Sequence, residues 1–160
     1  MRERFESVTF WTDTATFCLF DEAALAHRLP EDADWWADPD AEVFEVNRGN
    51  MVVVDLGSDG RYTAAVGWEQ NTSALAPVRA QVRCVSGRMF LGPGEDIPGG
   101  EVGPDTLSGG RFLALSPGAY RVSVHRTGPL SLSVLLETIT GEAANGFAES
   151  LILPPWEQTG

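Results

Sequence analysis

The residues with the clearest chemical potential lie in one acidic segment, residues 31–42, which surrounds two adjacent tryptophans. Clustered carboxylates are offered there by Asp32, Asp34, Asp38, Asp40 and Glu42. Clustered oxygens of this kind suit Ca²⁺, but Trp35 and Trp36 interrupt the segment and no glycine stands where an EF-hand needs one. The alternative to a calcium site is an acidic loop in water. We predict no metal and no cofactor.

Residues that could form an active site are few and widely spaced. The chain has two cysteines, Cys18 and Cys84, and two histidines, His27 and His125, none of them paired at the spacing of zinc ligands. All eleven basic residues are arginines, which excludes a P-loop lysine and Schiff-base chemistry. No serine lies in a G-x-S-x-G turn. We therefore predict that the chain is not an enzyme, with an unfamiliar carboxylate-dependent enzyme as the least favoured alternative.

The acidic tryptophan segment is better explained as a protein-binding surface. Aromatic side chains offer large, rigid contact areas at interfaces, and carboxylates attract a basic partner. A second acidic pair lies in Gly92–Gly110, a glycine- and proline-rich stretch whose length is typical of a functional or a disordered loop. The predicted protein-binding residues are Asp32, Asp34, Trp35, Trp36, Asp38, Asp40, Glu42, Glu95 and Asp96.

Two other roles are open for Trp35 and Trp36. They could form a stacking platform for a small ligand or a carbohydrate. Alternatively, one of them could pack against a sheet while the neighbouring acids stay in water. Burial of both is not expected, because the side chains of consecutive residues diverge.

The net charge of −12 indicates which partners are compatible with the chain. Residues 1–60 contain fourteen of the 23 acidic residues but only four of the arginines. Like charges repel at long range, so we predict a basic protein partner, no nucleic acid and no membrane, although acidity also maintains solubility. No apolar run could span a bilayer, and Met1-Arg2-Glu3-Arg4 does not begin a signal peptide. A cytoplasmic location is expected.

Most of the chain alternates apolar and polar residues with the period of β-strands. Val78–Cys84 alternates cleanly, whereas Met51–Leu56 is nearly all apolar, as in a strand buried on both faces. Turn sequences such as Gly57–Gly60 and Ser86-Gly87 predict hairpins. The predicted strands are 7–11, 14–20, 43–46, 51–56, 62–68, 78–84, 88–91, 112–115, 120–126 and 130–139, with an edge segment at 150–153.

One short helix is predicted at Glu22–Leu29, because Asp21 can cap it, basic residues occupy its last turn and Pro30 ends it. The length suits one domain, residues 1–160. Short strands joined by hairpins predict a mainly β fold, an antiparallel β-sandwich with a barrel as the alternative.

Several turn segments occur together in this chain: Asp13-Thr14-Ala15-Thr16, Asp34-Trp35-Trp36, Asn47-Arg48-Gly49-Asn50, Leu56–Gly60, Gly92–Pro98 and Pro117–Tyr120. With them the chain resembles a family of small uncharacterised bacterial β-rich proteins, some of which are similar to immunity proteins of toxin–antitoxin competition systems. The resemblance implies a cytosolic antagonist that binds a toxin domain, and it assigns no catalytic residues. We therefore predict a protein-binding module, an immunity-type inhibitor of a basic bacterial toxin such as a nuclease.

Overall fold

The computed structural model describes residues 5–68 and 76–157, which form ten strands, one α-helix and three 3₁₀ helices. The strands are β1 (Phe5–Thr12), β2 (Thr16–Phe20), β3 (Met51–Asp55), β4 (Gly60–Trp68), β5 (Val78–Cys84), β6 (Arg88–Pro93), β7 (Arg111–Ala114), β8 (Gly118–Gly128), β9 (Ser131–Ile139) and β10 (Leu151–Ile152). The α-helix is α1 (Pro39–Asn47), and the 3₁₀ helices are Glu22–Arg28, Trp35–Ala37 and Gly94–Asp96. The predicted mainly β class is confirmed. None of these helices has the length and apolarity needed to cross a membrane.

The strands form two five-stranded sheets that are not closed into a barrel. Sheet A has the order β1-β4-β9-β8-β5, and sheet B has the order β10-β3-β2-β6-β7. Pairing is antiparallel except between β4 and β9 and between β10 and β3, so both sheets are mixed. The two parallel pairs join strands far apart in the sequence, where alternation of side chains carries no information about strand direction.

The two turns that predict hairpins instead connect strands of different sheets, and so does the turn that follows β7. The turn at Gly57–Gly60 leads from β3 to β4, Ser86-Gly87 leads from β5 to β6, and residues 115–117 lead from β7 to β8. The chain therefore passes from one sheet to the other at each of these corners. A turn sequence fixes a local change of direction, whereas long-range packing decides which strand lies beside the next one.

The main core lies between the two sheets. In β4 the side chains of Tyr62, Ala64 and Val66 are buried, while those of Thr63 and Ala65 face the solvent. The same alternation holds in β5, as predicted, so sheet A has one buried face and one solvent-exposed face.

Sheet B is buried on both faces, and its outer face carries a helical layer. Its outward-facing apolar side chains are Cys18, Phe20, Met51, Val53 and Phe90. They pack against a covering set formed by Leu25, Trp35, Trp36, Val46 and Ile97. This second cover explains why β2 and β3 are apolar at almost every position.

The helical layer differs from the sequence-based prediction in two respects. The helix at Glu22–Arg28 is present and Asp21 caps it, accepting a hydrogen bond from the Ala23 amide at 2.9 Å, but it is a 3₁₀ helix. The predicted strand 43–46 is wrong, because these residues belong to α1. That helix begins at Pro39, and the Asp38 side chain caps it. A segment of four residues, three of them apolar, is too short to distinguish the period of a strand from that of a helix.

Candidate protein-binding site

Both tryptophans of the acidic segment are buried, with only 8% and 7% of Trp35 and Trp36 exposed. The Trp35 indole Nε1 donates a hydrogen bond to the Pro98 carbonyl oxygen at 2.7 Å. The Arg28 guanidinium lies 4.6 Å from the centre of the Trp35 ring. The expectation that at most one indole is buried is wrong, because a 3₁₀ helix separates consecutive side chains by only about 120°. Neither ring forms an open platform for stacking a sugar.

The long loop after β6 completes the cover over these indoles. Its Gly94 amide donates to Thr16 Oγ1 at 3.1 Å, and a Cβ atom at Gly94 would lie 3.4 Å from Cη2 of Trp36. Farther along, the Gly100 amide donates to the Glu31 carbonyl oxygen at 2.5 Å. The two acidic segments singled out in the sequence are therefore hydrogen-bonded neighbours.

A small cleft of about 270 Å³ opens where the long loop meets residue Ala33. We call it the acidic cleft, because the carboxylates of Glu95, Asp96 and Asp105 line it. Burial, the charge of Asp105 and the charge of Glu95 together raise the pKa of Asp96 to about 6. The Oδ2 atom of Asp96 is buried and has no hydrogen-bond partner within residues 5–68 and 76–157. The cleft therefore holds a carboxylate whose negative charge is not compensated.

Two further predicted residues flank this cleft. Asp32 and Asp34 are exposed on either side of Ala33. Their carboxylates add negative charge to the exposed surface next to the cleft. The structure thus places Asp32 and Asp34 one residue away from a position that lines the same cleft as Asp96.

Glu95 also lines the cleft, but its carboxylate is already engaged by the corner between β1 and β2. Its Oε1 accepts hydrogen bonds from Thr12 Oγ1 at 2.7 Å and from Thr14 Oγ1 at 2.5 Å. Its Oε2 accepts one from the Asp13 amide at 2.6 Å. Glu95 therefore holds this corner in place, and it contributes negative charge to the cleft rather than a free acceptor.

The remaining predicted residues, Asp38, Asp40 and Glu42, form a second group at the start of α1. Asp38 and Asp40 are exposed, while Glu42 is half-buried beside the C-terminal segment. Burial raises the pKa of Glu42, the charge of Asp55 adds to the rise, and a hydrogen bond from Ser150 opposes it. Nowhere in the described ranges do three or more acidic, histidine or cysteine side chains form a group that could hold a metal ion.

A buried carboxylate at Glu45 was not expected, because the sequence suggested a strand there. Its Oε2 accepts hydrogen bonds from His27 Nε2 and from Arg28 Nε, and its Oε1 accepts one from Asn50 Nδ2, each at 2.7 Å. Burial alone would raise the pKa of Glu45, but the bonds from Arg28, Asn50 and His27 outweigh it and lower the pKa. Glu45 therefore joins the first 3₁₀ helix, α1 and the start of β3.

Asp21 plays a comparable role at the corner between β5 and β6. Its Oδ2 accepts from the amides of Val85 and Ser86, both at 2.7 Å, in addition to its capping bond with Ala23. Burial would raise the pKa of Asp21, but these bonds outweigh it, so the pKa lies below its usual range. The sequence signals only the capping part of this role.

The protein is a two-sheet β domain in which a helical layer covers the outer face of sheet B. The chain belongs to a family of unknown function, DUF6386, whose model matches residues 4–152. The fold is similar to that of the protein titled Crocagin biosynthetic gene J, with 16% identity, 88% of this chain and 100% of that chain covered, and a TM-score of 0.56. It is also similar to ComJ from Bacillus subtilis, an inhibitor of the DNA degrading activity of NucA, with 8% identity, coverage of 87% and 100%, and a TM-score of 0.53. No curated protein matches the sequence.

Proposed function

We propose that this protein is a protein-binding module that inhibits a basic bacterial toxin, such as a nuclease, in the cytoplasm. In this proposal the acidic cleft receives a lysine or arginine side chain of the partner. The observation that carries it is the half-buried carboxylate of Asp96, which lines the cleft and whose Oδ2 atom lacks a hydrogen-bond partner within the described part of the chain. A buried charge without a partner is costly, so a cation that pairs with it gains a strong, desolvated contact.

The surroundings of the cleft support a basic partner. Asp32 and Asp34 stand exposed beside it, and the whole chain carries a net charge of −12. Such a field accelerates the approach of a cationic protein and repels nucleic acid. The similarity in fold to ComJ, which inhibits a DNA-degrading enzyme, agrees with this class of partner.

The proposal assigns different roles to the predicted residues. Asp96 pairs with the inserted cation, and Asp32 and Asp34 attract it. Asp38, Asp40 and Glu42 extend the negative surface along α1. Trp35 and Trp36, being buried, support the cleft from beneath instead of contacting the partner.

The experiment that tests the proposal combines partner capture with an inhibition assay. The tagged protein is used to capture basic proteins from its native cells, and the DNA-degrading activity of a captured protein is measured with increasing amounts of this chain. The doubly substituted variant Asp34→Asn/Asp96→Asn should bind at least about tenfold more weakly, because it loses a desolvated charge pair. The control Asp59→Asn/Glu157→Gln removes two exposed charges elsewhere and should stay within about twofold of the unmodified protein.

Two results would contradict the proposal. One is the absence of any captured basic protein whose activity falls in the presence of this chain. The other is equal binding by the cleft variant and the control variant, which would place the interface on another surface.

A further inference from the structure

A second cleft, of about 530 Å³, lies on a different part of the molecule, and two arginines and one acidic residue line it. Arg48 follows the C-terminal end of α1, and Arg83 lies near the end of β5. Their backbones are close, since the Arg83 amide donates to the Gly49 carbonyl oxygen at 2.8 Å. Two guanidinium groups in one cleft are notable in a chain with a net charge of −12. We call this site the arginine cleft.

A relay of buried polar side chains fixes the direction of Arg83. Glu45 is completely buried, and its Oε1 accepts a hydrogen bond from Asn50 Nδ2 at 2.7 Å. Asn50, only 3% exposed, in turn accepts a hydrogen bond at Oδ1 from Arg83 Nε, also at 2.7 Å. This bond uses Nε, and within residues 5–68 and 76–157 neither Nη1 nor Nη2 of Arg83 has a hydrogen-bond partner. A guanidinium held in one orientation loses less conformational entropy when it binds an anion.

Arg48 supplies the second positive charge of the cleft. Its guanidinium lies 5.3 Å from the centre of the Phe44 ring, a cation–π distance that restrains the side chain. Val85, Pro117 and Ala119 also line the cleft and add apolar atoms to it. The site therefore combines a pair of anion-binding groups with an apolar wall.

The charges around the cleft indicate what kind of anion fits. Glu142 also lines it, and within the ranges that the structure describes this carboxylate forms no ion pair with either arginine. One opposing carboxylate and the overall negative charge disfavour a doubly charged phosphate. A singly charged carboxylate, which a guanidinium binds through two parallel hydrogen bonds, meets less repulsion.

We propose that the arginine cleft binds an organic carboxylate, with Arg83 and Arg48 receiving the carboxylate group and Pro117 and Ala119 contacting an adjoining apolar group. The carboxylate can belong to a free acid or to the C-terminus of a peptide. Arg83 and Arg48 are binding residues in this assignment, whereas Asn50 and Glu45 are positioning residues. The site does not depend on the acidic cleft or on its partner.

The test is an NMR titration that follows the side-chain Nε–H signals of the arginines. The probes are N-acetyl-leucine, its uncharged amide, inorganic phosphate, and a short peptide ending in leucine with a free or an amidated C-terminus. N-acetyl-leucine should shift the Arg83 signal in a saturable manner, and its amide should not. Comparing the free acid with the free peptide terminus distinguishes the two sources of the carboxylate.

Substitutions separate binding from folding. Arg83→Gln and Arg48→Gln should each weaken binding by about tenfold or more, because each removes a charge-assisted contact. Arg61→Gln, in an exposed position on β4, is the matched control and should leave binding unchanged. Asn50→Ala keeps both arginines but releases Arg83, so it should also weaken binding and broaden the Arg83 signal. Melting curves of all four variants establish that they are folded.

Several outcomes would overturn the assignment. Equal binding of N-acetyl-leucine and its amide would show that the carboxylate is not recognised. Tighter binding of phosphate would make this a phosphate site, and full binding by Arg83→Gln would place the anion elsewhere. Saturation by none of the probes would also reject the proposal.

Discussion

The Trp35 indole Nε1 donates a hydrogen bond to the carbonyl oxygen of Pro98, 63 residues farther along the chain, at 2.7 Å. This bond fastens the acidic segment to the long loop after β6. Residues of both segments line the acidic cleft, Ala33 from the first and Asp96 from the second. The indole therefore positions a surface that it does not itself reach.

Replacing Trp35 by phenylalanine should lower the free energy of unfolding by about 2 kcal/mol, because the Pro98 carbonyl loses its partner and the smaller ring leaves a gap. Urea denaturation at pH 7 measures this loss. The matched control is Trp11→Phe, which removes an indole that is 47% exposed and hydrogen-bonded to Asp13. The control substitution should lower the free energy of unfolding by less than about 0.5 kcal/mol. Equal losses in the two variants would contradict the role assigned to Trp35.

Replacing Asp21 by asparagine should destabilise the protein by about 2–4 kcal/mol. The new amide group would place a donor against the amides of Val85 and Ser86, which now donate to Oδ2. Asp59→Asn, in an exposed turn, is the control and should have little effect. Thermal and urea unfolding at neutral pH provide the measurement, and a change of less than about 0.5 kcal/mol at Asp21 would contradict the prediction.

The contribution of Glu45 to stability should depend on pH. Its pKa is lower in the folded protein than in the unfolded chain, so its stabilising effect is complete above the unfolded value of about 4.3. The effect is lost as the pH falls through the folded value. The difference in unfolding free energy between Glu45 and the Glu45→Gln variant should therefore be constant from pH 8 to 6 and shrink below about pH 4. The two proteins are also compared in a His27→Gln background, because His27 contacts Glu45 and titrates as well. A difference in unfolding free energy that stays constant at all pH values would contradict the prediction.

The contribution of Asp96 to stability should depend on pH in the opposite direction from that of Glu45. Its pKa of about 6 means that ionisation is unfavourable in the folded state, and this cost appears as the pH rises from about 4 to above 6. Asp96→Asn should therefore stabilise the protein at pH 7.5 by about 1–2 kcal/mol, allowing for solvent screening of a partly exposed side chain, and by almost nothing at pH 4. Urea denaturation at the two pH values tests this.

The same substitution should weaken partner binding even though it stabilises the fold. Opposite effects on stability and on binding are typical of a group that the fold holds in an energetically unfavourable state because binding uses that state. Protonation of Asp96 should act in the same direction, so binding should weaken as the pH falls below about 6. If Asp96→Asn destabilises the fold and leaves partner binding unchanged, Asp96 has a structural role and does not bind the partner.

The sequence by itself determined where most strands lie and which of their faces are buried. The alternation in Val78–Cys84 and the continuous apolar run at Met51–Leu56 report burial directly, because side chains of a strand point alternately to its two faces. The cap at Asp21 was also readable, since it depends on residues two positions apart. All of these features are local in the chain.

Only the tertiary structure decided which strands share a sheet and what covers sheet B. The turns at Gly57–Gly60 and Ser86-Gly87 have the residues of hairpins, yet long-range packing makes them corners between sheets. Both indoles of the acidic segment are buried because a loop some sixty residues away closes over them, as the Trp35–Pro98 bond illustrates. The acidic and arginine clefts arise in the same way, from charged side chains whose positions depend on contacts that no local pattern encodes.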